Sequence, residues 1–330
     1  MPATDTPAGA APEPPSGSAR GRRSGARVRP WLVQGARYGF VAVVLVLVAR
    51  TVVTEWPRVR AAASDLDVTA LLAATGLGVA ALVALWRSWH ALLVGAGAEL
   101  RPGASALVFY VGQLGKYAPG GVWTIVAQSE LAAARRVPRV VSAVVGTALL
   151  VVVTATGVAV GSLAVLRTPE ALAEYGWTLV ILAGGVVGLV PPVLNAVVAL
   201  ALRLAAPRAG AVTFPAPAIG RSVSWCLLWW ALAGLHAWFL VRGLAPAPDA
   251  GAVIGAFALA WSVGLVVVIA PAGVGAREGA LVLLLGGVLA RPDALVVALV
   301  SRALFLVADL VAAGASVALA RGRRPERGAA

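Results

Sequence analysis

Apolar residues run along this chain in nearly unbroken stretches, as in 38–49 and 144–153, rather than alternating with polar ones. Short segments of alternating polarity would mark a membrane β-barrel. Continuous runs fit transmembrane helices, which satisfy their own backbone hydrogen bonds. With about 20 helical residues needed per bilayer core, full spans are expected near 33–54, 68–86, 140–166, 177–202, 222–241 and 295–320. Two further apolar segments, 104–134 and 251–290, are interrupted by glycine and proline. The expected fold is therefore an all-α, polytopic membrane helix bundle of about six full spans plus two broken segments.

The interruptions are Gly115-Lys116-Tyr117-Ala118-Pro119-Gly120-Gly121-Val122-Trp123 and Pro271-Ala272-Gly273-Val274-Gly275-Ala276-Arg277-Glu278-Gly279. A broken helix exposes backbone dipoles at membrane depth, and a pair of such breaks in corresponding halves points to a translocation site. Loop charge predicts the topology. Arg20, Arg22, Arg23, Arg27, Arg29 and Arg37 flank the first span and place the N-terminus in the cytoplasm by the positive-inside rule. The clusters Arg135, Arg136 and Arg139, then Arg203, Arg208 and Arg221, then Arg321, Arg323, Arg324 and Arg327 are expected on the same side. That is consistent only if 104–134 is re-entrant from the cytoplasm and 251–290 from outside. The two hairpins then have opposite orientations, the arrangement an inverted repeat produces, although no convincing residue-level match joins the halves.

Composition agrees and narrows the function classes. The 330 residues are 60% hydrophobic and 12% charged, with a mean hydropathy of +0.89, too apolar for a domain whose surface faces water. The net charge of +13 sits mainly in tails and loops, which favours anionic lipid headgroups over nucleic acid as partners. Residues 1–30 are rich in proline, glycine and arginine without apolar periodicity and are expected to be a disordered basic tail. The membrane domain is expected over 31–320, followed by a basic cytoplasmic tail, 321–330. Cys226 is the only cysteine, and no Cys/His cluster has metal-ligand spacing, so neither metal nor cofactor is expected. No P-loop, nucleophile elbow or dinucleotide fingerprint supports an enzyme.

Charges inside a bilayer are costly, at about 2.5–3.5 kcal/mol on insertion scales, and tend to face a cavity or a partner. The candidates are Lys116, the chain's only lysine, with Arg277, Glu278, Arg302 and Asp309. Lys116 and Arg277 suit an anionic headgroup, with Glu278 in the same substrate site expected to orient Arg277 or to pair with a cationic headgroup, or else Lys116 snorkels beside a kinked helix and Arg277 and Glu278 lie in an interfacial loop. Pro119, Gly120, Gly121 and Trp123, with Pro271, Gly273 and Gly275, are expected to shape the same substrate site. Arg302 and Asp309, seven residues apart, share one face of the last span and are expected to pair structurally across the bundle. Trp225, Trp229, Trp230 and Trp238 read as an interfacial belt, and His90 and His236 as packing or interfacial residues. Asn195, after Pro191-Pro192, is expected to satisfy a kinked backbone. The spacings Gly157/Gly161 and Gly184/Gly188 indicate ordinary close helix packing.

The run Gln113 to Trp123, followed by Arg135-Arg136-Val137-Pro138, and the run Ala270 to Gly279 resemble the flippase-like transmembrane domain of bacterial lysylphosphatidylglycerol synthases over roughly residues 35 to 320. In those synthases this domain is thought to move aminoacylated phospholipid between leaflets, while a soluble domain performs the aminoacyl transfer. The resemblance implies a multi-pass protein of the bacterial plasma membrane with both termini cytoplasmic and no soluble transferase domain. It implies translocation of a phospholipid or polyprenyl-linked envelope lipid. Stand-alone relatives are often associated with glycosyltransferases, so the alternative is a non-transporting membrane partner of an envelope glycosyltransferase. An integral membrane transferase ranks last, for want of an intramembrane catalytic constellation.

Overall fold

The computed structural model describes residues 57, 67–118, 122–167, 173, 176–205, 210–266 and 275–322, which among them form only helices and their connections. In chain order the helices are α1 (Val68–Gly95), α2 (Pro102–Gln113), α3 (Trp123–Ala133), α4 (Arg139–Val165), α5 (Thr178–Leu189), α6 (Pro191–Ala205), α7 (Ala216–Arg242), α8 (Ala250–Val266), α9 (Ala276–Leu284) and α10 (Arg291–Gly322). A short 3₁₀ turn, Leu114–Tyr117, follows α2. By length and composition α1, α4, α7 and α10 can each cross a membrane, and α5 with α6 adds a fifth crossing if the two are one span.

Six straight spans are therefore not what the described residues contain. The expected span 33–54 lies outside them. The one at 177–202 is bent by 80° at Val190. Val190 is extended (φ −63°, ψ 129°), the conformation that a following proline imposes on its neighbour, and Pro191 starts α6 without an amide to donate. Asn195 does not repair that kink. Its side chain instead pairs with the backbone of Phe214, donating to the carbonyl at 3.0 Å and accepting the amide at 2.8 Å, and so fixes the approach to α7.

The two broken segments are each two helices packed on one another, α2 with α3 and α8 with α9. At the first break the arms are antiparallel and touch backbone to backbone. A Cβ on Gly115 would lie 2.6 Å from the carbonyl carbon of Trp123 and 2.7 Å from the amide of Thr124, so only glycine fits. At the second, Gly264 gives room to Arg277, whose Cβ would stand 2.9 Å from an added Cβ.

Between the long helices, packing again relies on small residues, as it must where lipid removes the hydrophobic drive for association. Side chains at Gly157 and Gly161 would run into Trp230, Ser262 and Leu259, so this pair lets α4 meet α7 and α8. The Gly184/Gly188 pair faces open space. α1 and α7 are antiparallel: Gly95 lies beside Ala218, Ser88 Oγ is 2.7 Å from Ser222 Oγ, and His236 Nδ1 is 2.7 Å from the Ala74 carbonyl oxygen.

The contacts are also reciprocal. When α1 to α4 are matched in order to α7 to α10, α2 packs on α10 as α8 packs on α4, α3 on α4 as α9 on α10, and α1 on α4 as α7 on α10.

Candidate functional site

The first break positions a cation by steric necessity. α2 ends in the 3₁₀ turn that carries Lys116, and the Gly115 contact holds that turn against the start of α3. Lys116 Nζ lies 2.5 Å from Asp309 Oδ2, to which the Tyr117 hydroxyl also donates at 2.6 Å. Asp309 is 1% exposed and Lys116 23%. Lys116 is thus held inward by a carboxylate and does not snorkel.

The described part of the second break begins with Gly275, whose positive φ (85°) would strain a side chain. Its amide donates to Glu278 Oε2 at 2.7 Å, which closes the first turn of α9. The other oxygen of Glu278 takes Arg302 Nη1 from α10. Glu278 therefore does not orient Arg277, its sequence neighbour. Arg277 instead lies over aromatic faces, with its guanidinium carbon 3.7 Å from the Trp261 ring centroid and 5.2 Å from that of Phe257, an attraction of cation for ring quadrupole. Among the described residues no carboxylate lies within ion-pair distance of Arg277.

One face of α10 thus serves both breaks, since Asp309 holds the first and Arg302, seven residues earlier, holds the second. Lys116, Arg277 and Arg302 all line a single cavity of about 280 Å³, together with Tyr117, Gln113 and Gln128. Its wall is completed by Trp229 and Trp261 and by apolar side chains of α1, α4 and α10. That volume is at the lower edge of the roughly 300–1,000 Å³ usual for small-molecule sites. It is the size of a small polar group and too small for a pair of acyl chains. Two lining residues, Val122 and Leu150, are 55% and 42% exposed, so the rim on that side is apolar.

Of the expected site residues, Lys116, Arg277 and Arg302 come together in this cavity, with Glu278 and Asp309 as their counter-ions. Trp123 supplies the backbone on which Gly115 rests, and Gly275 supplies a cap; neither is among the described lining residues. Pro119, Gly120, Gly121, Pro271 and Gly273 lie outside the described residues. Sequence reasoning passed over Tyr117, Gln113, Gln128 and Trp261. The two glutamines had a signal, as amide side chains in otherwise apolar stretches.

The tryptophans correct the expected belt. Trp229 and Trp230 are fully buried, and the Trp230 indole donates to Thr156 Oγ1 at 3.0 Å. Trp238 donates to the Pro248 carbonyl at 2.9 Å, and Trp225 lies under Arg87 at 5.3 Å. His236 is a buried packing residue that ties Ala74 on α1 to Ser301 on α10.

Residues 36–313 match the family model described as Lysylphosphatidylglycerol synthase TM region. A comparison with curated proteins finds no match.

Proposed function

The chain belongs to the lysylphosphatidylglycerol synthase TM region family, and from that premise we propose that it translocates a phosphate-bearing membrane lipid through the cavity between its two breaks. The substrate is a phospholipid or a polyprenyl-linked envelope lipid. One observation carries the reading: cations from both breaks, Lys116 and Arg277, line one headgroup-sized cavity. Charge-assisted hydrogen bonds to phosphate suit this setting, because a low local dielectric strengthens them. The exposed apolar rim at Val122 and Leu150 lets the tails stay in lipid while the headgroup enters.

Alternating access follows from an inverted repeat, in which α1–α4 and α7–α10 are equivalent halves of opposite orientation and the hairpins enter from opposite sides. The reciprocal contacts and the antiparallel α1–α7 pair support this. Rocking one half against the other would expose the cavity to each leaflet in turn, with α10 as the element that feels both breaks.

The test is reconstitution of the full chain in vesicles with fluorescent phospholipid or polyprenyl phosphate. Lys116→Ala combined with Arg277→Ala is expected to slow lipid movement by about tenfold or more, as expected from losing charge-assisted contacts of about 1.5–3 kcal/mol each. Unchanged movement in a folded double variant would sink the cation role.

A further inference from the structure

We infer that Gln113 and Gln128 form a neutral subsite beside the cations, which selects lipid phosphodiesters whose headgroup carries free hydroxyls, as a glycerol or a sugar does. This rests on the translocation reading and names the residues that tell its substrates apart. The observation is a pair of buried amide side chains with nothing to bond. Gln113 is 9% exposed and Gln128 2%. Both line the cavity, and neither side chain has a hydrogen-bond partner among the described residues.

The local fold builds this subsite. Gln113 ends α2, and Lys116 follows three residues later in the 3₁₀ turn, a spacing that puts the two on one side. Gln128 stands on α3 and is seated by two glycines. A Cβ on Gly112 of α2 would lie 2.4 Å from Gln128 Cγ, so a side chain there would push the glutamine away. A Cβ on Gly146 of α4 would lie 3.5 Å from Gln128 Oε1, and Gly146 itself lines the cavity. The amide is thus held between α2 and α4 with its end at the wall.

A buried amide left unbonded is unfavourable, and water in the cavity can meet that need only until a headgroup displaces it. An entering group that does not replace those hydrogen bonds loses affinity. The amide carries both a donating NH₂ and an accepting carbonyl. A phosphate oxygen only accepts and an ammonium only donates, so each satisfies half of it. A hydroxyl does both. Phosphate is left to the charged end, where Asp309 stands against Lys116 and Glu278 against Arg302. Esterifying one glycerol hydroxyl replaces a donor with a carbonyl acceptor and leaves a second hydroxyl, so the subsite takes free and acylated headgroups alike.

The comparison that isolates the hydroxyls is phosphatidylglycerol against phosphatidylpropanol, which has the same charge, phosphodiester and carbon count. A polyprenyl phosphohexose against a polyprenyl propyl phosphate does the same for a sugar. Binding of each to the purified full chain is measured by displacement of a fluorescent lipid. The hydroxylated member of at least one pair is expected to bind about tenfold more tightly, because a site made to bond a hydroxyl rejects the analogue without one. The pair that shows the preference names the source of the hydroxyls. Gln113→Met combined with Gln128→Met keeps the volume, removes both buried amides and should bring the preferred pair level without weakening its hydroxyl-free member. No preference in either pair overturns the subsite, and so does a folded double variant that keeps the preference. The same lipids in vesicles separate the two readings: a hydroxyl preference in binding with no movement of the preferred lipid leaves the subsite standing and overturns translocation.

Discussion

Asp309→Asn is expected to be among the most damaging single substitutions in the bundle, although it changes one atom. The carboxylate is 1% exposed and holds Lys116 at 2.5 Å and the Tyr117 hydroxyl at 2.6 Å. The amide keeps a carbonyl for the hydroxyl but loses the negative charge, leaving Lys116 mostly buried and uncompensated. Removing one partner of a buried ion pair costs about 3–5 kcal/mol. Thermal unfolding of the purified protein should therefore shift strongly downward. Lys116→Met in the same chain should recover much of the loss, because it removes the orphaned charge and keeps the volume. The check is a double-mutant cycle: recovery supports the pair, whereas simple addition of the two single losses would mean that Lys116 and Asp309 act independently.

Glu278→Ala is the second large effect, and it combines two losses. Arg302, 19% exposed, would be left without its carboxylate, again at about 3–5 kcal/mol. The Gly275 amide would also lose its acceptor, and helix caps of this kind are worth about 0.5–2 kcal/mol. Glu278→Gln separates them, since it can still accept from the Gly275 amide at the start of α9 but cannot neutralise Arg302. Gln is expected to be the milder variant in thermal unfolding, with Arg302→Met restoring stability on either background. If Ala and Gln were equally harmful, the cap would contribute nothing measurable.

Much of this arrangement was legible in the sequence, and the reasons are specific. Glycine and proline inside otherwise apolar stretches marked both breaks, because these residues interrupt a helix that the apolar run would otherwise continue. The seven-residue spacing of Arg302 and Asp309 placed them on one helix face. Their partners were not legible. Adjacent residues on a helix do not share a face, so Glu278 leaves Arg277 and reaches a different helix, a choice made by packing and not by proximity in sequence. Tryptophans at Trp229 and Trp230 carry no mark that separates an interface belt from a core. Asn195 and Phe214 are joined only by the path of the chain around α6. The reciprocal helix contacts were not legible either, because they join helices far apart in the sequence and no residue-level match links the two halves.

Both large effects concern what holds the cavity; its use is a separate matter, and a phospholipid with a photoactivatable headgroup addresses it most directly. Proteoliposomes of the full chain would be irradiated and the labelled peptides sequenced. Label is expected on both breaks, around residues 113–128 and around residues 261–277, from one lipid population. Label confined to outward apolar surfaces such as Leu179, Val180 and Val187 of α5, with both breaks unmarked, would contradict the claim that a headgroup sits where the two breaks meet.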